Sequence, residues 1–221
     1  MFVDKFDDGS SFVARPKIEL LIKRIFDFSF SFLAIISLSL VFVLVGLLVK
    51  LSSSGPMFYG HSRVGLNGKT FTCWKFRTMF VDADERLTKF LNANSHARKE
   101  FFEKRKLASD PRVIPIVGSF LRKTSLDEIP QFINVLLGDM SVVGPRPVTL
   151  PELDRYGQSK VEYLSVRPGI TGAWQVSGRS RLSFEERVLI DVNYVRGWSL
   201  LRDIRIVLKT IVVVFSCRDA V

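Results

Sequence analysis

The chain has 221 residues, of which 47% are hydrophobic and 24% are charged. This length fits one domain with an appended segment, and the composition excludes an intrinsically disordered chain. Lysine and arginine (32) outnumber aspartate and glutamate (22), which gives a net charge of +10. Such a surplus attracts polyanions: nucleic acid, anionic lipid headgroups or phosphorylated substrates. The two cysteines, Cys73 and Cys217, are far apart, which argues against a disulfide framework and a cysteine metal site.

An apolar segment near the N-terminus, residues 28–49, contains no charged side chain. A helix needs about 20 apolar residues to cross a bilayer, whereas a signal peptide has an apolar core of about 7–15 residues. The segment therefore favours a membrane-embedded helix over a cleaved signal or a buried core helix. Lysines and arginines flank it on both sides, which favours a helix that returns to the same face, although a spanning helix stays open.

The chain divides into a tail (residues 1–22), a membrane-embedded helix (23–50) and a cytosolic domain (51–221). Several elements are predicted in the cytosolic domain from hydrophobic periodicity and from turn residues. In chain order they are strands at 56–59 and 70–76 around a turn at 65–68, a charged helical excursion at 82–107, short helices at 116–122 and 130–137, a stretch at 144–178 that is rich in glycine and proline, and a helix at 183–198.

The last predicted element is an amphipathic helix at residues 198–215. Arg202, Arg205 and Lys209 recur at spacings of three and four, which places them on one helical face. Such a helix lies on a soluble core or in the headgroup layer, and the predicted membrane segment favours the headgroup layer. The predicted fold is therefore a helix-rich α/β class: a re-entrant membrane helix, then a compact cytosolic domain with a small β-hairpin and interfacial amphipathic helices.

An acid pair, Asp127 and Glu128, lies in the segment SLDEIPQ at residues 125–131. Taken alone, these residues favour a structural interpretation, a capping box between Ser125 and Glu128 at a helix start. The functional interpretation is a carboxylate nucleophile for phosphoryl transfer beside a carboxylate that binds Mg²⁺. Such a site needs cations that neutralise phosphate charge. Candidate positions are the alternating cations of KFRTM at 75–79, an arginine between two prolines at 146, and arginines in turns at 167 and 179.

Five motifs occur together in one order: KRIFD (23–27), KFRTM (75–79), SLDEIPQ (125–131), GDMSVVGPRP (138–147) and RPGITG (167–172). This series resembles the bacterial sugar transferase family, the monotopic polyprenyl-phosphate phosphoglycosyl transferases, and covers about residues 23–215. The resemblance is strongest to the short branch that initiates exopolysaccharide synthesis. It implies an enzyme of the bacterial inner membrane, with its catalytic domain on the cytoplasmic face. The implied reaction transfers galactose or glucose phosphate from a UDP-hexose to undecaprenyl phosphate and releases UMP.

The resemblance also implies roles for single residues. Asp127 is the nucleophile that forms a covalent phosphosugar intermediate, and Glu128 is the ligand of the cofactor Mg²⁺. The positions that match phosphate- and nucleotide-binding residues of the family are Lys75, Arg77, Arg122, Asp139, Arg146 and Arg179. Implied partners are the lipid bilayer and later enzymes of polysaccharide assembly, with a homo-oligomer left open. The chain departs from the family at Ser39-Leu40, where members often have a helix-breaking Ser-Pro pair.

Three other functions stay open at this point. A membrane-tethered protein that binds nucleic acid or another polyanion predicts basic residues interleaved with aromatic ones along a stripe. The cations here gather instead around the acid pair and the Pro/Gly turns, so no nucleic-acid partner is expected. A non-catalytic scaffold does not account for the two adjacent acids. A glycosyl transferase that moves only the sugar predicts release of UDP rather than UMP.

Overall fold

The computed structural model describes residues 16–104, 107, 109–178 and 181–215. The helices in these residues are α1 (Lys17–Ser37), α2 (Ser39–Ser52), α3 (Ala83–Ala93), α4 (Ser95–Lys104), α5 (Val117–Thr124), α6 (Gln131–Leu137), α7 (Leu150–Asp154), α8 (Lys160–Leu164), α9 (Phe184–Arg196) and α10 (Leu200–Phe215). The strands are β1 (Phe58–Val64), β2 (Thr70–Phe76), β3 (Ser141–Val143) and β4 (Gly169–Thr171). The predicted helix-rich α/β class is confirmed.

The predicted hairpin is present as the antiparallel pair β1–β2, with Phe58 opposite Phe76 and Val64 opposite Thr70. Asn67 has a φ of 56° at the turn, a left-handed conformation that asparagine tolerates better than most residues. The ring of Phe42 in α2 lies 5.8 Å from the ring of Phe58 and 5.0 Å from that of Phe76. These aromatic contacts attach the hairpin to the N-terminal helices.

A second sheet, the parallel pair β3–β4, was not predicted, because strands of three residues are too short to show periodicity. Two glycines permit the close approach of the strands: Gly144 directly follows β3, and Gly169 is the first residue of β4. A Cβ on Gly169 would lie 2.1 Å from the backbone nitrogen of Gly144. The Gly/Pro-rich stretch also contains the one-turn helices α7 and α8, which the sequence pattern did not predict for the same reason.

The two N-terminal helices, α1 and α2, meet at Leu38 with a bend of 64°. Among the described residues no single helix is long and apolar enough to cross a membrane, whereas this bent pair is so by length and composition. The bend occurs without a proline, one residue before the Ser39-Leu40 position. Leu38 has φ −95° and ψ 6°, and its amide still donates to the carbonyl of Ala34. The backbone hydrogen bonds on both sides of the bend are therefore kept, since the amide of Phe42 also donates to the carbonyl of Leu38.

A buried ionic cluster joins α1 to the rest of the molecule. The Nζ atom of Lys23 lies 2.7 Å from Oδ2 of Asp203, 3.4 Å from Oδ1 of Asp27 and 3.0 Å from the carbonyl of Val143. Both carboxylates are almost fully buried. Asp203 also accepts hydrogen bonds from Tyr194 and Trp198. Lys23 thus ties the first helix to β3 and α10, and Asp203 extends the cluster to α9 through Tyr194.

The C-terminal helix α10 packs on the core through Ile206 and Asp203, which are both buried. Its larger apolar side chains point outwards: Leu201, Leu208, Ile211 and Val212 are 48–66% exposed. A helix that covered a soluble core would bury these side chains instead. The exposed apolar face agrees with the predicted interfacial helix. The predicted helix at 183–198 is present as α9, and Ser183 and Glu186 form a capping box at its start.

The Asp203→Ala substitution is expected to destabilise the fold by about 3–5 kcal/mol, because it leaves the buried ammonium of Lys23 short of its nearest counter-charge. Thermal unfolding of the purified chain in detergent measures the loss. The matched control is Asp154→Ala, whose ion pair with Lys160 lies at the surface and is worth at most about 1 kcal/mol. Similar losses in the two variants would contradict a structural role for the buried cluster.

Candidate active site

The backbone around the acid pair turns sharply after α5. Ser125 adopts a left-handed conformation (φ 57°, ψ 17°), and one turn of 3₁₀-helix, Leu126–Glu128, follows before α6. The Ser125 side chain caps no backbone amide, so the predicted capping box is wrong. A left-handed serine is unfavourable by itself and persists only where its surroundings require it. Here the turn directs two neighbouring carboxylates into different environments.

Glu128 is paired with cations. Lys75, near the end of β2, places its Nζ atom 2.5 Å from Oε1 of Glu128. Nη1 of Arg146 lies 4.0 Å from the same oxygen. Burial alone raises the pKa of a carboxylate, but the charges of Lys75 and Arg146 and the hydrogen bonds from Lys75 and Gln131 outweigh it. The pKa of Glu128 is therefore lowered, and the carboxylate is ionised at neutral pH.

Asp127 lies in the opposite environment. Asp127 is only 8% exposed, and its carboxylate forms no ion pair among the described residues. Burial, and secondly the charge of Glu128, raises the pKa of Asp127 to about 6, although Lys75 and Arg122 act in the other direction. A desolvated carboxylate with a raised pKa is a better base and nucleophile than one in water, and it remains mostly ionised at neutral pH.

Arg146 is held in place by the second sheet. It lies in the loop after β3 between two prolines, and the amide of Gly169 donates to the carbonyl of Pro145 at 2.8 Å. The amide of Gly144 donates to the carbonyl of Thr171 at 2.9 Å. The motif RPGITG thus acts on the site mainly by fixing the neighbouring strand. Arg146 keeps 42% of its side chain exposed beside Glu128, where it can reach a bound anion.

A third cation, Arg63, lines the small pocket at Glu128, together with Cys73, Lys75, Gln131, Arg146, Pro147 and Ile170. The sequence pattern did not single it out. Nη1 of Arg63 lies 3.1 Å from Oε2 of Glu152, a carboxylate that also accepts hydrogen bonds from the backbone and side chain of Thr149. The signal that could have found it is the hairpin register, because Arg63 and Lys75 lie on the same face of β1–β2.

The other predicted binding residues are placed differently. Arg122, in the last turn of α5, is exposed and acts on Asp127 through its charge. Arg77 is buried and donates to the carbonyls of Ser53 and Ser54 at the end of α2. Asp139 lies at the far end of α6, 3.4 Å from Nδ2 of Asn134. The structure thus brings neither Arg77 nor Asp139 to the acid pair, and Arg179 lies outside the described residues.

The described residues hold no group of three or more histidine, cysteine, aspartate or glutamate side chains that could enclose a metal ion. Mg²⁺ prefers oxygen ligands and keeps several waters, so one or two carboxylates and substrate phosphates can suffice to bind it. Glu128 offers an ionised carboxylate at the pocket, and Asp127 is its neighbour in the chain. This donor set fits a magnesium ion that is bound together with a phosphate ligand.

The site thus combines an ionised acid, three cations at one pocket and a neighbouring buried carboxylate, a set of side chains that suits the binding of phosphate groups. The family model for bacterial sugar transferases matches residues 18–217. The chain belongs to this family, so the predicted family and the predicted enzyme class, a transferase, are confirmed.

Curated relatives agree with this assignment. The exopolysaccharide production protein ExoY of Sinorhizobium fredii is 52% identical over 198 residues, which cover 90% of this chain and 87% of that protein. The undecaprenyl-phosphate galactose phosphotransferase of Salmonella typhimurium is 47% identical over 193 residues, covering 87% of this chain and 40% of that protein. The UDP-glucose:undecaprenyl-phosphate glucose-1-phosphate transferase of Escherichia coli is 40% identical over 199 residues, covering 86% and 39%.

The Lys75→Met substitution is expected to lower the free energy of unfolding by about 2–3 kcal/mol at pH 7, because Glu128 stays largely buried without its nearest cation. The folded pKa of Glu128 lies below its ordinary value of 4.5. The stability that this shift provides is complete above pH 4.5 and is lost as the pH falls through the folded pKa. The difference between wild type and variant should therefore shrink in acid.

Thermal unfolding between neutral and acidic pH measures this difference. Lys69→Met, at an exposed position in the hairpin turn, is the matched control and should follow the wild type at every pH. A deficit in Lys75→Met that is the same at all pH values would show that the loss comes from packing rather than from the ion pair.

Proposed function

We propose that the chain transfers a hexose phosphate from a UDP-sugar to undecaprenyl phosphate and releases UMP. The observation that carries this proposal is the acid pair in its two environments: a buried Asp127 whose pKa is raised to about 6, beside a Glu128 that is paired with cations. The names of the Salmonella typhimurium and Escherichia coli relatives, which specify undecaprenyl-phosphate sugar phosphotransfer, support the same reaction class.

In the first step a carboxylate oxygen of Asp127 attacks the phosphorus that bears the sugar. The bond between this phosphorus and the bridging oxygen breaks, and UMP departs with the bond's electron pair. Asp127 is left as an acyl phosphate that carries the sugar. Because its carboxylate is desolvated, little solvent must be stripped from it before attack.

In the second step an oxygen of the lipid phosphate attacks the same phosphorus. The acyl-phosphate bond breaks, the Asp127 carboxylate is regenerated, and the product is a lipid diphosphate sugar. Asp127 is thus the nucleophile towards the donor in the first displacement and the leaving group towards the acceptor in the second. One buried carboxylate therefore serves a water-soluble donor and a membrane-bound acceptor.

The cations of the pocket stabilise the negative charge of the donor's diphosphate. Lys75 and Arg146 already lie at Glu128, and Arg63 adds a planar guanidinium whose orientation Glu152 fixes. The planar guanidinium of arginine can donate two parallel hydrogen bonds to phosphate oxygens, so an arginine is well suited to bind the diphosphate. We assign Glu128 as the ligand of Mg²⁺, which when bound neutralises phosphate charge and orients the leaving group.

Galactose is the proposed sugar. Two relatives named for galactose or UDP-galactose transfer are 47% and 48% identical to this chain, whereas the relative named for glucose transfer is 40% identical. The difference in sequence identity ranks galactose before glucose, so UDP-glucose is the second candidate donor.

The bent helix pair is proposed to enter the inner membrane from the cytoplasmic face and return to it. Its outward apolar side chains include Phe32, Leu40, Val43, Leu47 and Leu51, each at least half exposed. An apolar surface of this extent is costly in water and favourable in lipid. Exposed cations at both ends of the pair, Lys17 and Lys50, match an entry and an exit on the same side.

The reaction is tested with purified protein, Mg²⁺, undecaprenyl phosphate and a panel of UDP-sugars, with UMP and UDP quantified separately. UMP should form with UDP-galactose, and Asp127→Asn should lower kcat by at least about a thousandfold, because an amide cannot form the acyl phosphate. Asp154→Asn, the same change at an exposed surface carboxylate, is the matched control and should keep the wild-type rate. UDP as the nucleotide product would contradict phosphosugar transfer, and full activity of Asp127→Asn would exclude Asp127 as the nucleophile.

The pH profile of kcat/KM should show an acid limb near pH 6, since Asp127 attacks only when ionised and its pKa is raised to about 6. Below that pH the rate should fall by about tenfold per pH unit. Glu128→Gln removes the neighbouring negative charge and so lowers the pKa of Asp127. The acid limb in the pH profile of this variant's residual activity should therefore move to lower pH. A rate that rises in acid would contradict the assignment, because it would require the protonated carboxyl.

A further inference from the structure

A second and larger cavity, of about 590 Å³, lies between the first turns of α1 and the body of the molecule. Helix α1 contributes Lys17, Leu20, Leu21 and Arg24, which recur at spacings of three and four and therefore share one helical face. The opposite wall includes Arg167, Ser165 and the hairpin-turn residues Leu66 and Asn67. The proposed reaction uses none of these residues.

The cavity has an excess of positive charge. Four cations line it, and Asp27 is its single acidic residue. Lys23 is neutralised by Asp27 and Asp203. The other three cations have no carboxylate within ion-pair distance among the described residues, which leaves their charges for an anion.

Two of these cations are held close together. Arg24 donates to the carbonyls of Val135 and Leu136, and Arg167 donates to the carbonyl of Gly138, all at the C-terminal end of α6. The positive charge of Arg24 is one cause of the lowered pKa of Arg167, after burial. Two guanidiniums that repel one another at the wall of an open cavity form a favourable place for an anionic oxygen.

The same cavity has an apolar part. Leu20 and Leu21 are 46% and 54% exposed, and they lie between Lys17 and Arg24 on the lining face of α1. A soluble anion would leave these two leucines in water. A lipid would place its phosphate at the cations and the start of its chains against the leucines, which meets both parts of the cavity at once.

We propose that this cavity binds the headgroup of an anionic phospholipid, with the phosphate at Arg24, Arg167 and Lys17 and the chains leaving along Leu20 and Leu21. The proposal rests on the membrane placement proposed above, since Lys17 to Arg24 lie on α1 just before its long apolar part. A bound lipid would fill the gap between α1 and the domain and hold the helix at headgroup level.

The lipid in this cavity is distinct from the acceptor. The cavity shares no lining residue with the pocket at Glu128. Gln131, which lines that pocket, begins α6, whereas Arg24 and Arg167 bind the carbonyls at the other end of the helix. A helix of seven residues is about 10 Å long, so a phosphate at Arg24 is too far from Asp127 to react.

The test measures the thermal unfolding of the full chain in a neutral detergent during titration with one of three compounds: dioctanoyl phosphatidylglycerol, dioctanoyl phosphatidylcholine or glycerol 3-phosphate. Phosphatidylglycerol should raise Tm saturably and the other two should not at equal concentration, because ligand binding to the folded state stabilises it. Lys17→Gln should weaken the apparent affinity about fivefold, as expected for one cation near an anionic lipid. Lys89→Gln, an exposed lysine on α3, should match the wild type.

Arg167→Gln should abolish the preference for phosphatidylglycerol, and Arg167→Lys should restore part of it. Since Arg167 also holds Gly138, a folding defect in that pair leaves the outcome to Lys17→Gln. Equal stabilisation by phosphatidylcholine, or equal weakening by Lys89→Gln, would overturn the proposal. An equal effect of glycerol 3-phosphate would show a site for free phosphate esters, which also overturns it.

Two further measurements separate this proposal from those on which it rests. In phospholipid-free micelles, a KM for undecaprenyl phosphate that rises fivefold in Lys17→Gln would assign the cavity to the acceptor and overturn the proposal. An unchanged KM supports it. Flotation with phosphatidylcholine vesicles tests membrane placement alone. A chain that floats but shows no preference for phosphatidylglycerol would refute the cavity's role and leave the membrane placement intact.

Discussion

The arrangement of this molecule depends on one buried ammonium group, that of Lys23, between the carboxylates of Asp27 and Asp203. Breaking a buried ion pair leaves an uncompensated charge, so α1 cannot move away from α10 without a large cost. Asp27 also accepts hydrogen bonds from Ser141 and from the amide of Val142, which extends the constraint to β3. The helix proposed to enter the membrane and the loop that holds Arg146 are therefore parts of one rigid frame.

Within that frame, two adjacent carboxylates acquire opposite properties. Glu128 is kept ionised by Lys75 and Arg146, whereas burial and the charge of Glu128 itself raise the pKa of Asp127 to about 6. The left-handed turn at Ser125 produces this separation by directing the two side chains to different surroundings. The same physical logic governs other enzymes that use paired acids, where environment decides which acid binds charge and which reacts.

Much of this could be predicted from the sequence, and the rest depends on contacts between distant residues. The hairpin, α9 with its capping box and the amphipathic α10 follow from local patterns. Lys75 and Arg146 were predicted near Glu128 from the family's motifs. The strand pair β3–β4 was not predicted from the sequence, because it forms through the close approach of Gly144 and Gly169, which are distant in the chain. Arg77 and Asp139 lie in the same motifs as site residues, but local geometry turns Arg77 to the end of α2 and leaves Asp139 beyond α6.

The central claim is that Asp127 becomes covalently attached to the sugar phosphate. The most direct measurement is the intact mass of the protein after incubation with Mg²⁺ and UDP-galactose, without acceptor, followed by peptide mapping. The account predicts a mass increase of one hexose phosphate, located on the peptide that contains Asp127, which disappears when undecaprenyl phosphate is added. An unmodified protein that nevertheless releases UMP once the acceptor is present would contradict the account, because the phosphosugar would then pass directly from donor to lipid.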